Sequence, residues 1–263
     1  MSLASRLRRL LWPPGVQALE PAPVAPPATD APNPYLRTDL DWDALAREAP
    51  TRFERVYYAH RGRAIFKWNQ YLPLYDQALA RYVGQPLTLV EIGVAAGGSL
   101  QLWRSYFGER CRIVGVDIDP ACQAYAEPGV EIMIGSQDDP DFLRRVADQA
   151  GGIDVIVDDG SHVSSHQIRT MEVLFPRLKT DGVYVCEDLH TSYWANFGGG
   201  LDRSDSYIAY VKRLIDKLHH RYNGMALAED DFAREIGSMT LGDSIAFFHK
   251  APARETYMVQ VGG

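Results

Sequence analysis

The sequence predicts an α/β fold built on a doubly wound, mostly parallel sheet that ends in a C-terminal antiparallel hairpin. Two observations support this prediction. From Leu87 onward short apolar runs alternate with helical segments, and the last two apolar runs flank Gly242 and Asp243. Buried strands that alternate with helices are typical of a parallel sheet covered by helices on both faces. A Gly-Asp pair between two apolar runs indicates a hairpin.

The part of the chain before the first strand has a different character. Residues 13–34 contain eight of the 16 prolines, so we expect residues 1–34 to form a proline-rich disordered arm without a core. Residues 35–86 are expected to form an N-terminal helical segment that packs on the core. Apolar residues at helical spacing predict one or two helices between Arg61 and Tyr82, with Pro73 at a start or a kink.

The main predicted domain covers residues 87–250, and residues 251–263 are expected to be a tail. The strands are apolar runs bounded by Gly, Asp or Pro, and they are predicted at Leu87–Val94, Cys111–Asp119, Val130–Gly135, Ile153–Asp159 and Gly182–Leu189, with the hairpin in residues 236–250. The helices of this domain are predicted at residues 99–107, 140–150, 165–178 and 204–220.

Composition and charge exclude several classes of protein. The net charge is −7 and the only basic block is Arg6–Leu10, so nucleic-acid binding is not expected. The apolar runs are too short to span a membrane, and "LLW" is too short for a signal-peptide core. Cys111, Cys122 and Cys186 form no CxxC pair, which favours buried thiols in a reducing compartment. We therefore expect a cytoplasmic homo-oligomer in which the N-terminal segment is a floppy arm or makes a subunit contact and is not a membrane anchor.

A glycine-rich turn, "EIGVAAGGS", follows the first strand. Glycines there allow close approach of a ligand to the backbone, and ligands of such sheets bind beyond the carboxyl ends of the strands. Ala95 stands where a dinucleotide fingerprint has its second glycine, which disfavours NAD. Asp117 ends the second strand and could accept hydrogen bonds from ribose hydroxyls. With the polar "GSQDD" after the third strand, the turn predicts a nucleoside-bearing ligand.

Acidic residues end the fourth and fifth strands. Asp158 and Asp159 end one, and Glu187 and Asp188 end the other. Neighbouring strands lie about 4.8 Å apart, so these carboxylates should crowd at one edge of the sheet and repel one another. A divalent cation would offset that repulsion, and oxygen ligands suit Mg²⁺, Ca²⁺ or Mn²⁺ better than Zn²⁺. Glu187 and Asp188 can share an ion only if the backbone leaves strand geometry between them.

Other roles are open for several residues around this edge. Asp158 or Asp159 could cap the following helix. His162 and His166 are four residues apart, as zinc ligands can be, but no thiolate or third histidine lies within sequence reach. His162, in the turn three residues after Asp159, is better placed for proton transfer than His166, and His190 competes with it.

Five segments carry a resemblance to a known family. "EIGVAAGGSLQLWRSYF", "GVDIDP", "DDGSH", "LFPRL" and "GVYVCEDLHTSYW" resemble the metal-dependent sugar O-methyltransferases of macrolide biosynthesis. That family includes the macrocin, mycinamicin and rhamnosyl O-methyltransferases, with cephalosporin hydroxylase-like proteins as more distant kin. The resemblance covers roughly residues 64–249 and implies a Rossmann-like class I methyltransferase fold.

The resemblance also implies roles for individual residues. S-adenosylmethionine and Mg²⁺ are the expected cofactors, and His162 is the expected general base. The expected metal ligands are Asp159, Glu187 and Asp188. The expected cofactor-binding residues lie in the turns after the strands and are Glu91, Gly93, Ser99, Asp117, Ser136, Gln137 and Asp158.

The implied reaction is the methylation of one sugar hydroxyl beside another on a small-molecule or glycan acceptor. Chelation of the diol would acidify the hydroxyl, and histidine side chains, which titrate near neutral pH, suit removal of its proton. Three alternatives remain. They are a methyltransferase of small phenols or catechols, a cephalosporin hydroxylase-like protein that binds S-adenosylmethionine without methyl transfer, and an NAD-dependent oxidoreductase. Tyr193, Trp194 and Phe197 could stack on a sugar or on an aromatic ring, so they do not distinguish a sugar acceptor from a phenol or catechol.

Overall fold

A computed structural model describes residues 35–223, 230–251, 255 and 257–262. The predicted disordered arm at residues 1–34 lies outside the described residues. Within the described residues, three α-helices precede the first strand: α1 Trp42–Glu48, α2 Arg52–Tyr58 and α3 Tyr71–Leu79. Among the described residues, no helix combines the length and the apolar character that crossing a membrane requires.

The strands and helices then alternate as the sequence predicts. The strands are β1 Leu87–Ile92, β2 Cys111–Asp117, β3 Val130–Ile134, β4 Ile153–Asp158, β5 Leu178–Cys186, β6 Ile236–Gly242 and β7 Ile245–Lys250. The helices that follow β1 in chain order are α4 Gly98–Phe107, α5 Pro140–Ala150, α6 Ser164–Leu174, α7 Tyr207–Leu218 and α8 Asp231–Glu235.

The seven strands form one sheet in the order β3-β2-β1-β4-β5-β7-β6. β1 to β5 pair in parallel, and β7 pairs antiparallel with both β5 and β6. The predicted fold class and the C-terminal hairpin are therefore confirmed. The order reverses at β1 and β4, the switch point where ligands of such sheets bind.

Successive side chains of each strand point to opposite faces of the sheet and pack into two hydrophobic cores, one on each face. Val90 and Ile156 pack with α5, α6 and α7, whereas Leu89 and Val155 pack with α2, α3 and α4. The second core is rich in aromatic rings, and Phe53 lies 4.9 Å from Tyr75, centroid to centroid. This packing fixes α3 under the carboxyl end of the sheet, where the candidate site lies.

Several predicted boundaries were wrong. Residues 61–70 are not helical, and the helix of this region begins at Tyr71, so that Pro73 lies in the first turn, where the missing N–H is tolerated. The predicted helix at residues 165–178 ends at Leu174, because Pro176 cannot continue it. The fifth strand begins at Leu178 instead of Gly182 and ends at Cys186.

Candidate active site

The register of β4 and β5 brings the acidic strand ends together. Asp158 pairs with Cys186, so Asp159 and Glu187 are the next residues along the two neighbouring strands. The backbone N–H of Glu187 donates to the carbonyl of Asp158 at 3.0 Å, which continues the ladder by one residue. The crowded edge expected from the sequence is therefore present in the structure.

The backbone leaves strand geometry between Glu187 and Asp188. Asp188 has φ of 56° and ψ of 40°, a left-handed conformation that is uncommon outside glycine. The turn lets the Asp188 side chain face the same pocket as Asp159 instead of the opposite face of the sheet. His162 also has a positive φ, of 57°. Two residues of the polar side-chain group at this edge, His162 and Asp188, thus have unusual backbone conformations, as is common in functional sites.

Asp159, His162 and Asp188 form the compact polar group of the site. One possible ligand atom from each lies within 4.8 Å of the others, the only such group of three or more among the described residues. The Nε2 atom of His162 is 3.5 Å from Asp188 Oδ2 and 4.0 Å from Asp159 Oδ1. Its buried Nδ1 atom has no hydrogen-bond partner in the part of the chain that the structure describes. The two carboxylates offer the oxygen ligands that fit a divalent cation such as Mg²⁺.

Glu187, predicted as a metal ligand, is not in this group. Its side chain is 2% exposed, and its Oε1 atom accepts hydrogen bonds from Lys67 Nζ at 2.6 Å and from the Tyr75 hydroxyl. Burial and the neighbouring charge of Asp159 raise the pKa of Glu187, and the Lys67 ammonium lowers it. Its role as a ligand stays a prediction.

Helix α3 and the loop before it provide partners for Asp159, Glu187 and Asp188. Lys67 Nζ donates to Asp159 Oδ2 at 2.5 Å, and the Tyr71 hydroxyl donates to Asp188 Oδ1 at 2.9 Å. Burial lowers the pKa of Lys67, but the charges of Asp159 and Glu187 outweigh it and raise the pKa above its ordinary value. Sequence reasoning missed these residues. The four-residue spacing of Tyr71 and Tyr75 places them on one face of α3 and could have indicated them, whereas no local signal indicates Lys67 in the loop before the helix.

A pocket of about 430 Å³ opens beside this group at the carboxyl ends of β1, β2 and β4. Its volume is in the usual range for small-molecule sites. It is lined by five of the predicted cofactor residues, Gly93, Ser99, Asp117, Ser136 and Gln137, and also by Asp159, His162 and Asp188. One pocket therefore joins the predicted cofactor region to the polar group.

Gly93 permits a close approach between two turns at the floor of this pocket. It has φ of 96°, and a Cβ there would lie 2.0 Å from the Asp159 carbonyl oxygen. Asp117 orders the same glycine-rich turn, because its Oδ2 atom accepts from the N–H groups of Val94 and Ala95, each at 2.9 Å. Burial raises the pKa of Asp117, but hydrogen bonds from backbone N–H groups lower it below its ordinary value.

Two predicted cofactor residues lie beneath the pocket and do not line it. Glu91 is fully buried and accepts hydrogen bonds from Ser99 Oγ at 2.9 Å and Trp103 Nε1 at 2.8 Å. Burial raises the pKa of Glu91 to about 7. Asp158 is also fully buried and accepts from the Tyr184 hydroxyl at 2.8 Å. Both carboxylates form buried hydrogen bonds beneath the pocket. Their direct contact with the cofactor stays a prediction.

The other two histidines considered from the sequence have their own partners. His166 Nδ1 lies 2.8 Å from Ser161 Oγ, and its Nε2 lies 3.7 Å from Asp138. His190 Nδ1 lies 2.5 Å from Ser244 Oγ. The structure therefore brings His162, and not His166 or His190, between Asp159 and Asp188.

An aromatic row continues from the polar group towards the surface. The ring centroid of His190 lies 5.7 Å from Trp68 and 4.7 Å from Trp194, and Phe197 lies 5.9 Å beyond Trp194. Burial lowers the pKa of His190. A row of partly exposed rings beside a polar group can bind the apolar face of a ring-shaped acceptor.

Sequence comparison identifies proteins similar to this chain. A family model described as "Methyltransferase domain" matches residues 90–189. The chain is 40% identical, over 70% of its length, to 8-demethyl-8-alpha-L-rhamnosyl tetracenomycin-C 2'-O-methyltransferase of Streptomyces olivaceus and covers 51% of that protein. It is 36% identical, over 57% of its length, to mycinamicin VI 2''-O-methyltransferase of Micromonospora griseorubida and covers 40% of it. The chain thus spans about half the length of the curated relatives it matches.

A solved structure shows the same likeness. MycE methyltransferase from the mycinamycin biosynthetic pathway, in complex with Mg, SAH and mycinamycin VI, superimposes with a TM-score of 0.68 at 30% sequence identity. The match covers 82% of this chain and 55% of that one. Residues 90–189 therefore match a methyltransferase domain, and the resemblance of the chain to the sugar O-methyltransferases is confirmed.

Proposed function

We propose that this protein is an S-adenosylmethionine-dependent, Mg²⁺-dependent O-methyltransferase that methylates a sugar hydroxyl on a small-molecule or glycan acceptor. The observation that carries the proposal is the single pocket that joins the glycine-rich turn to Asp159, His162 and Asp188. The names of the two relatives described above, a rhamnosyl tetracenomycin-C O-methyltransferase and a mycinamicin VI O-methyltransferase, support a sugar as acceptor.

S-adenosylmethionine fits the first part of the pocket. Gly93 keeps the turn open to the ligand, and the Asp117 carboxylate ends β2 where ribose hydroxyls would bind. The exposed side chain of Ile118, at 72% exposure, lines the same pocket and offers an apolar surface to an adenine ring. The cofactor supplies a methyl group on a positively charged sulfur.

Asp159 and Asp188 would hold the Mg²⁺ ion, because each has a carboxylate oxygen facing the pocket and Mg²⁺ prefers oxygen ligands. A divalent cation there supplies Lewis acidity that lowers the pKa of a coordinated hydroxyl. His162 would take the proton of that hydroxyl at Nε2, the ring atom that faces both carboxylates. The rest of the site orients the acceptor against the methyl donor, which lowers the entropic cost of reaction.

The aromatic row gives the acceptor a binding surface next to Asp188. Trp68, His190 and Trp194 stand edge to face in the structure. Stacking of the acceptor on Trp194 would place its hydroxyls towards the carboxylates. The rings would also accept a small phenol or catechol, and a cephalosporin hydroxylase-like binding role without methyl transfer is the other alternative.

The test is incubation with labelled S-adenosylmethionine and a panel of rhamnosides, with catechol as a competing acceptor. We expect label in a rhamnoside methyl ether. Label in catechol alone would contradict the sugar acceptor, and binding of S-adenosylmethionine without any transfer would contradict the enzyme.

The base is tested separately with His162→Ala. We expect turnover to fall by at least about 100-fold while calorimetry shows S-adenosylhomocysteine binding unchanged. The matched control is His166→Ala, at the other histidine of the same segment, and it should keep most of its turnover. Full turnover in His162→Ala would remove His162 as the base.

We also propose that the protein is a cytoplasmic homo-oligomer that binds neither nucleic acid nor membrane. The net charge of −7 supports the absence of nucleic-acid binding. Light scattering of the purified chain would test the assembly, and a monomer at micromolar concentration would contradict it.

A further inference from the structure

The turn between β6 and β7 lies at the carboxyl edge of the parallel strands, because β7 begins beside the end of β5. Its residue Ser244 has φ of 67°. The Ser244 carbonyl oxygen accepts hydrogen bonds from the Tyr71 hydroxyl and from the backbone N–H of Leu189, each at 2.9 Å. A Cβ at Gly242 would lie 2.4 Å from Leu74 Cδ1, so the turn also packs closely on α3. These contacts fix the position of Ser244.

Ser244 in turn holds the ring of His190. Its Oγ atom lies 2.5 Å from His190 Nδ1 and accepts a hydrogen bond from the backbone N–H of His190 at 3.2 Å. Two indole rings confine the imidazole further, at interplanar angles of 82° for Trp68 and 69° for Trp194. An imidazole that is bonded at one nitrogen and packed between two rings has little freedom to rotate, so its other nitrogen points in a fixed direction.

The other nitrogen, Nε2, is available to a ligand. Within the part of the chain that the structure describes, it has no hydrogen-bond partner, and the His190 side chain is 27% exposed. His190 does not line the pocket of about 430 Å³, but it belongs to the short 3₁₀ helix Leu189–Tyr193, which begins directly after the pocket residue Asp188. His190 therefore presents a polar atom just outside the acceptor end of the pocket.

A sugar hydroxyl matches this arrangement. A hydroxyl both donates and accepts hydrogen bonds, so it can pair with Nε2 in either tautomer of the ring. The indoles on both sides of the imidazole can cover the apolar face of the same sugar. A rhamnoside has a third hydroxyl beside the two that the proposed reaction uses, whereas a catechol has only two.

We propose that His190, held by Ser244, is an acceptor-binding residue whose Nε2 atom forms a hydrogen bond with a sugar hydroxyl that is not methylated. The inference rests on the proposed function, because it assumes a sugar acceptor. It gives His190 a role in recognition and leaves the role of base to His162.

The experiment compares acceptor KM and kcat of the wild type and His190→Phe. The acceptors are a rhamnoside that the wild type methylates and the two monodeoxy analogues that retain the methylated hydroxyl. Phenylalanine keeps a ring between the indoles and removes the hydrogen bond. We expect His190→Phe to raise the KM for the rhamnoside about fivefold, as the loss of one hydrogen bond does, and to leave kcat within about twofold.

The analogues identify the hydroxyl. For one of them, we expect the KM of the wild type to be about fivefold higher than for the rhamnoside, because the partner of Nε2 is missing. For the same analogue, the KM of His190→Phe should equal its KM for the rhamnoside. An equal effect of both analogues on the wild type and on the variant would overturn the inference.

Two further variants keep the test decisive if His190→Phe does not fold. The amide of His190→Asn can replace Nδ1 beside Ser244 but does not reach the position of Nε2, so its KM should rise as in His190→Phe. The amide of His190→Gln can replace Nε2, so its KM should stay within about twofold of the wild type. A KM in His190→Asn equal to that of the wild type, or a kcat about 100-fold lower in all three variants, as for a base, would overturn the inference.

The matched control for the ring exchange is His219→Phe. It replaces an exposed histidine at the C-terminal end of α7 and should change neither KM nor kcat.

The outcomes separate the inference from the proposed function. If the wild type methylates a rhamnoside and the His190 variants keep its KM, the inference fails and the proposed function stands. If the wild type methylates no rhamnoside, both fail.

Discussion

Replacing Glu91 by glutamine should change how the stability of the protein depends on pH. Glu91 is fully buried, and burial raises its pKa from the ordinary 4.5 to about 7. Between these two values the folded state binds a proton that the unfolded state does not, so stability is greatest below pH 4.5 and falls as pH rises to 7. The difference of about 2.5 pKa units corresponds to about 3 kcal/mol.

The assay is urea unfolding of the wild type and Glu91→Gln at intervals from pH 5 to pH 8. Other titrating groups cancel in the difference between the two proteins. We expect the variant to gain stability relative to the wild type as pH rises, by about 2–3 kcal/mol across that range. Glu109→Gln, at an exposed position, is the control and should show a constant difference. An equally constant difference for Glu91→Gln would refute the reasoning.

Two further predictions concern the pocket and the acceptor. Gly93→Ala should lose S-adenosylhomocysteine binding measured by calorimetry, because its Cβ would lie 2.0 Å from the Asp159 carbonyl oxygen. Gly84→Ala, which also has a positive φ but no atom within 4 Å of the new Cβ, should cost about 1 kcal/mol of stability and keep binding. Equal binding by both variants would contradict the close approach. Trp194→Ala should raise the acceptor KM about 10-fold or more through lost stacking and leave the KM for S-adenosylmethionine unchanged, as steady-state kinetics would show. The control is Trp42→Ala, which removes a ring stacked on Tyr58 and should leave the acceptor KM unchanged. An unchanged acceptor KM in Trp194→Ala would exclude the aromatic row from acceptor binding.

The alternating part of the fold could be predicted because its signals are local. The helix Pro140–Ala150 occupies the predicted residues, since Asp139 caps it, Pro140 starts it and Gly151 ends it. The hairpin could be predicted because Gly242 and Asp243 lie between two apolar runs. The segment 35–86 was expected to be helical, but the positions of α1 and α2 within it were not predicted, and α8 was missed, because helices of five to seven residues carry little periodic signal.

The acidic edge could be predicted for a different reason. Parallel strands end at the same edge of a sheet, so the ends of β4 and β5 had to meet once the strands were identified. The partner of those acids could not be predicted in the same way. Lys67 lies 92 residues from Asp159 and 120 residues from Glu187 in the chain, and it reaches them from a loop whose path depends on packing. No local pattern connects such distant residues.

The most direct test of the account is methyl transfer from labelled S-adenosylmethionine to a rhamnoside, followed by mass spectrometry, with and without EDTA. The account predicts a monomethyl ether that disappears in excess EDTA and returns when Mg²⁺ is added. The same amount of product in excess EDTA, or no product from any sugar acceptor, would contradict it.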